Sequence, residues 1–320
     1  MEQGLNRRRF LGAAMGTGAA AATGALAPAA FAHGSKGEQG DGSGDSRVPK
    51  NRISSQLYSW RRVMERSQQD AANMLATLAR LGYTEVETAG HYKWTAKQYR
   101  AVLDRNGLRA ASGHDGPDVN SPGWQNGYPA TLEYAKELGQ KYTGFAWHPG
   151  PHTETQYKFL AEQFNKAGAI AKSYGLQFFY HNHDFEFSNK QSDGETPLYD
   201  ILLEETDPDL VKFELDLYWI VYGKEDPNRY LASDPARWPL YHVKDKTWKN
   251  RKETNPWENW EDVGPGSIDF PQIFASGEGT RLDKRFVIEH DWPRFSHPND
   301  EAAEVKTAKS GADYLQRVRW

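Results

Sequence analysis

A beat of two alternating patterns, repeated eight times from Arg52 to the C-terminus, constrains the fold more than any single motif in this sequence. Short apolar or β-branched runs that end in polar residues fall at 53–60, 84–90, 108–115, 142–149, 176–184, 211–219, 239–245 and 285–292. Stretches with helical spacing follow them at 67–81, 95–106, 128–138, 154–174, 198–205, 227–232, 270–276 and 300–316. Gly82, Gly107, Gly139 and Gly175 each stand just past a helical stretch, where a left-handed residue ends a helix. Strands alternating with helices predict a parallel sheet of βα units. Eight such units predict closure into a single-domain (β/α)8 TIM barrel over 52–320. An open doubly wound sheet more often carries a Gly-rich phosphate turn after its first strand, and "SWRRVMERS", from Ser59 to Ser67, has none.

Ahead of the beat, "NRRRFLG" precedes an Ala/Gly run that ends in "AFA" at residues 30–32. A basic start, an apolar stretch and a small-residue cleavage site predict a signal peptide over 1–32. The pair Arg7–Arg8, followed by Phe10 and Leu11, resembles a twin-arginine export signal. The expected location is therefore periplasmic or secreted. The run is too weakly hydrophobic for a stable membrane anchor. Residues 33–51, rich in Gly, Ser and charge, read as a flexible linker. The absence of cysteine excludes disulfides, zinc–thiolate sites and thiol nucleophiles. Cleavage after Ala32 would remove Glu2 with Arg7, Arg8 and Arg9, taking the net charge from −4 to −6. So acidic a chain is a poor partner for nucleic acid.

In such a barrel the chemistry sits at the C-terminal ends of the strands. The polar residues there are Glu87, His91, His114, Asp115, His148, His181, Asn182, His183, Glu186, Glu214, Asp216, His242, Lys244, Asp245, Glu289, His290 and Asp291. Most of the ten histidines fall in this set. Side chains alternate along a strand, so every second one faces the interior. His181 then shares a face with His183, Glu214 with Asp216, His242 with Lys244, and Glu289 with Asp291. The expected inward set is His181, Asp216, His242 and Glu289, one from each of four successive strands. Each alone is an ordinary polar strand end, but together they converge as ligands of one divalent ion. Their imidazole and oxygen donors suit Mn2+, Zn2+, Co2+ or Mg2+.

The segments "YHNHDFEF", "FELDLYW", "YHVKD", "VGPGSIDF" and "VIEHD" resemble the sugar phosphate isomerase/epimerase family, the xylose-isomerase-like barrels. The resemblance covers roughly 52–320 and is strongest over the last four strands. It implies one ion, most often Mn2+, held by a Glu, an Asp, a His and a second Glu. Asp216, His242 and Glu289 match the second, third and fourth of these. His181 stands where the sugar epimerases carry the first Glu. Two glutamates flank the substrate in those enzymes, whereas here only Glu289 remains as a metal-side base, with His183 or Glu186 as stand-ins. One base beside a Lewis acid also suits proton abstraction next to a carbonyl, followed by isomerisation or β-elimination. Lys244 is expected to neutralise a developing oxyanion. The His-Asn-His strand is similar to that of enzymes acting on keto-sugars, including lyases or hydrolases of 3-keto-glycosides.

Glu87, His114, Trp219 and Trp292 are the expected substrate contacts, the two indoles as sugar-stacking platforms or else as core. The loop 246–262 carries three Trp and suits either a lid or a loop packed on the rim. "GPGSIDF" lacks the spacing and the lysine of a phosphate loop and reads as a turn into a helix capped by Ser267 or Asp269. The leading expectation is an exported, metal-dependent sugar isomerase, epimerase or keto-glycoside lyase. An apurinic-site endonuclease-like hydrolase and a non-catalytic sugar-binding barrel are the alternatives. The expected partner is a sugar or keto-glycoside, and the oligomeric state is open, a homodimer included.

Overall fold

The computed structural model describes residues 46–247, 260–276, 283–290 and 301–320. The expected signal peptide, the linker up to residue 45, most of the Trp-rich loop, and Asp291 and Trp292 lie outside them. Among the described residues ten strands follow in chain order: β1 (Ile53–Gln56), β2 (Glu85–Thr88), β3 (Arg109–Gly113), β4 (Tyr142–Phe145), β5 (Gln177–His181), β6 (Val211–Asp216), β7 (Leu240–Val243), β8 (Asp245–Lys246), β9 (Trp260–Glu261) and β10 (Arg285–Ile288). Strands β1 to β7 and β10 are parallel and close into one barrel, with β10 between β7 and β1. The expected eight-stranded TIM barrel is what forms. Strands β8 and β9 make a separate antiparallel pair.

The strands are shorter than the apolar runs because the polar tail of each run leaves the sheet. Gln56 ends β1 by accepting the Tyr58 N–H at 3.0 Å and starting the short helix Leu57–Trp60. Asp216 ends β6 by accepting the N–H groups of Tyr218 and Trp219, both at 2.9 Å, which starts the helix Leu217–Tyr222. The longer helices begin at side-chain caps: Ser67 before Gln68–Leu81, Thr95 with Gln98 before Ala96–Arg105, and Thr153 before Glu154–Ser173. All four helix-ending glycines adopt the left-handed backbone. Among the described residues no helix is long and apolar enough to cross a membrane.

Alternation along β5 shows how the wall is divided. Phe178 and Tyr180 face outward, their rings 5.5 and 4.9 Å from Phe164 on the helix Glu154–Ser173. Phe179 and His181 face inward. Phe179 joins Tyr142 and Leu240 in a small apolar plug, separate from the larger core beneath the helices. Gly144 on β4 makes room for it, because a Cβ there would collide with the Phe179 ring. At the opposite end of the barrel from the expected site, buried Glu85 is held by Arg285 at 2.8 Å and Arg109 at 3.0 Å. The polar cluster described next lies above the plug.

Candidate active site

His181 ends β5, Asp216 ends β6, His242 lies on β7, and Glu289 follows β10. Each brings one donor atom within 4.8 Å of the others, and all four are buried. Lys244, one residue past β7 and fully buried, binds two of them: its Nζ lies 2.8 Å from Asp216 Oδ2 and 2.5 Å from Glu289 Oε2. Burial alone would raise the Glu289 carboxyl, but Lys244 and His242 beside it hold it below the usual carboxylate range. Burial raises Asp216, and Lys244 only partly offsets this. Burial, with His242 and His183 nearby, keeps the His181 ring neutral by lowering it well below the usual range. His242 Nδ1 is buried and turned into the quartet, 2.9 Å from Glu289 Oε2 and 3.7 Å from Asp216 Oδ2. Two imidazoles and two carboxylates whose donor atoms converge in this way fit a divalent ion by donor type and by spacing.

Beneath this set lies a second buried network. His114, His181, Glu214 and His242 also bring donor atoms within 4.8 Å of one another. Glu214 Oε2 is 2.9 Å from His114 Nε2, 3.1 Å from His242 Nε2 and 3.2 Å from His181 Nδ1. Glu87 Oε1 is 2.7 Å from His242 Nε2 and 3.0 Å from His114 Nε2, and it accepts from Gln56 Nε2 at 2.5 Å. Ser112 Oγ donates to Glu87 Oε2 at 2.5 Å. Burial opposes charge on His114, but Glu87 and Glu214 push its ring up to about 10. Burial would likewise raise Glu87, yet His114 and His242 pull it well below the usual range. The structure thus places Glu87 and His114 in the floor of the site, where Glu87 has no exposed surface. Gln56, Ser112 and Glu214 complete that floor. Glu214 was legible as the residue that shares a face of β6 with Asp216, whereas Gln56 and Ser112 had no signal beyond their places on β1 and β3.

The remaining expected residues lie around the rim or apart from it. His183 sits beside His181, ring centroids 4.9 Å apart, and packs on Trp147, Phe185 and Trp219. Its Nδ1 is buried without a hydrogen-bond partner, and burial next to Lys244 holds the ring neutral. Trp219 is nearly fully buried on the helix after β6, its ring 5.8 Å from Lys244 Nζ and 5.6 Å from Trp260. Trp147, 55% exposed and just past β4, is an open indole that the sequence reading did not single out. Glu186 does not join the cluster. It lies in the short helix Phe185–Ser188, accepting from the Tyr180 hydroxyl on the outward face of β5 and from the His183 N–H at 2.9 Å. Burial pushes its carboxyl up to about 8. His91 stacks on Tyr134, and His148 contacts Pro151, both away from the quartet.

The family described as "Xylose isomerase-like TIM barrel" matches residues 75–318. An inosose dehydratase of Geobacillus kaustophilus (strain HTA426) is 24% identical over 276 residues, 77% of this chain and 86% of that protein. A crystal structure of a sugar phosphate isomerase/epimerase from Parabacteroides distasonis ATCC 8503 superposes with a TM-score of 0.65 at 28% identity, covering 85% of this chain and 95% of that one. The IOLI protein, solved with a zinc atom, superposes with a TM-score of 0.64 over 82% of this chain and 97% of its own; at 14% identity it speaks to the fold alone. Closed barrel, strand-end cluster and sequence match agree, and this chain belongs to the xylose isomerase-like TIM barrel family.

Proposed function

We propose that this protein is a divalent-metal-dependent enzyme that removes a proton next to the carbonyl of a sugar-like ketone and then expels a leaving group from the neighbouring carbon. The observation that carries this reading is the buried quartet of His181, Asp216, His242 and Glu289 with Lys244 bound to both of its carboxylates. Bound there, the ion would act as a Lewis acid on the substrate carbonyl. With His242 neutral, as a ligand must be, Lys244 and protonated His114 offset two of the four carboxylates Glu87, Glu214, Asp216 and Glu289. One divalent ion offsets the other two.

Glu289 is the proposed base, kept ionised by Lys244. It takes the proton from carbon, the electron pair forms the double bond, and the carbon–oxygen bond beyond it breaks as the leaving oxygen collects a proton. Lys244 offsets the negative charge gathering on the carbonyl oxygen. Elimination is favoured over two-base epimerisation because Glu186 stands behind the strand and His181 replaces the first glutamate of the sugar epimerases. The similar inosose dehydratase is, by its name, a dehydratase. His183, neutral and beside His181, supports the second reading, an isomerisation or epimerisation in which it carries the proton on the other face. Export by the twin-arginine route belongs to the same proposal and favours keto-glycosides and other unphosphorylated keto-sugars as substrates.

The test is incubation with a panel of 3-keto-glycosides, keto-cyclitols and ketoses, with and without chelator, followed by NMR. Turnover is expected that chelator abolishes and Mn2+, Co2+ or Zn2+ restores, with about one ion per chain by metal analysis. Glu289→Gln should abolish that turnover while leaving the circular dichroism unchanged. Full activity in Glu289→Gln would sink the assignment of the base. About three ions per chain would favour the endonuclease-like alternative, and none the sugar-binding barrel.

A further inference from the structure

We propose that Glu87 is the positioning residue of His242: its carboxylate holds a proton on Nε2 of that ring, so that Nδ1 is the nitrogen offered to a metal ion. The inference rests on the metal-centre reading above and adds what makes one of its ligands usable. A neutral imidazole has one N–H and one bare nitrogen, and the partner of the first decides which is the second. Here the partner is explicit. Glu87 Oε1 lies 2.7 Å from His242 Nε2, and Glu214 Oε2 is the more distant acceptor at 3.1 Å. On the other side of the ring Nδ1 faces the two carboxylates of the quartet, Glu289 Oε2 at 2.9 Å and Asp216 Oδ2 at 3.7 Å.

Glu87 is itself fixed from three directions. Gln56 Nε2 donates to Oε1 and Ser112 Oγ to Oε2, each at 2.5 Å, and His114 Nε2 lies 3.0 Å from Oε1. These partners come from β1, from β3 and from the residue after it. The contact with His242 is not one between neighbouring strands, since β1 and β10 separate β2 from β7 around the wall. It therefore crosses the barrel interior, and a shift of either strand would break it. Glu87 is completely buried, and every partner it has on this side is a side chain of the floor or His242 itself. Carboxylates that hold the far nitrogen of a ligating histidine contribute about 10–100-fold in metal affinity.

Zn2+ affinity is measured by competition with a chromophoric chelator for the wild type, Glu87→Gln and Ser112→Ala, together with ring 15N–1H spectra of the zinc-loaded wild type. Glu87→Gln is expected to weaken Zn2+ binding about 10–100-fold at unchanged stoichiometry, and the His242 ring to carry its proton on Nε2. Ser112→Ala loses one donor to Glu87 and should weaken binding by a smaller factor; it carries the test if Glu87→Gln does not fold. A proton on Nδ1 of His242 in the zinc form, or affinities within about twofold of wild type in both variants, overturns the proposal and leaves the metal centre standing. A wild type that takes up no Zn2+, Mn2+ or Co2+ overturns both.

Discussion

Glu186 shows how far a single residue can stray from the place its strand suggests. Counting from His181 it belongs to the polar end of β5, but the strand stops at His181 and the next turn of helix carries Glu186 back against Tyr180. Burial raises its carboxyl to about 8 in the folded chain, against 4.5 unfolded. A group whose folded value lies above its unfolded value stabilises fully below the lower one, and the contribution disappears as pH rises through the higher. Between about pH 4.5 and 8 the metal-free protein should lose on the order of a few kcal/mol of stability through this one carboxyl. Urea unfolding at a series of pH values checks it: Glu186→Gln should flatten that part of the curve, and an unchanged slope would remove the claim. The residues that alternation alone fixes were legible. His181, Asp216, His242, Lys244 and Glu289 all face inward, as the period of two requires. Depth was not legible. Glu87 and His114 look in sequence like mouth residues, and only the way the strands sit against one another puts them under His242 rather than over it.

Among the elements, the turn "GPGSIDF" changes meaning most. It has the look of an anion-binding loop, and it does bind an anion, one belonging to the chain. Asp245 accepts the backbone N–H groups of Lys246, Gly264, Gly266, Ser267 and Ile268, at 2.8 to 3.2 Å. Gly266 is required there because a Cβ would strike the Asp245 carboxylate. Asp269 then accepts from Gln272 N at 3.1 Å and opens the helix Phe270–Ser276, as expected of a cap. Because Asp245 follows Lys244, the turn also fixes the chain that carries the ammonium group. Asp245→Ala should destabilise the fold by about 2–4 kcal/mol by leaving these amides without their acceptor, read as a lower melting temperature, and should lower activity through Lys244. A melting temperature equal to wild type would show that water replaces the carboxylate. The C-terminal ends of four helices were readable because their signal is local: Gly82, Gly107, Gly139 and Gly175 take the left-handed backbone that ends a helix. Strand ends were not, since Asp216 serves both as the last residue of β6 and as the cap of the helix that holds Trp219.

Across the whole molecule the eightfold repeat was enough to specify closure, because eight βα units leave no strand edge to cover. The small plug of Tyr142, Phe179 and Leu240 has a consequence for any reaction above it. It closes the far end of the interior, while Glu289 and Lys244 are 3% and 0% exposed at the near end. A bound substrate would stand between these groups and bulk water. A hydrogen lifted from carbon by Glu289 would then be slow to trade places with solvent and would be the one handed on. Substrate made with deuterium at that carbon turns this into a reading of reaction type. Elimination, the route proposed, sends the label out with the leaving oxygen and into the water. Isomerisation through the same sealed carboxyl returns part of it to the product, diluted by the exchangeable hydrogens of Lys244, and mass spectrometry of the product tells the two apart.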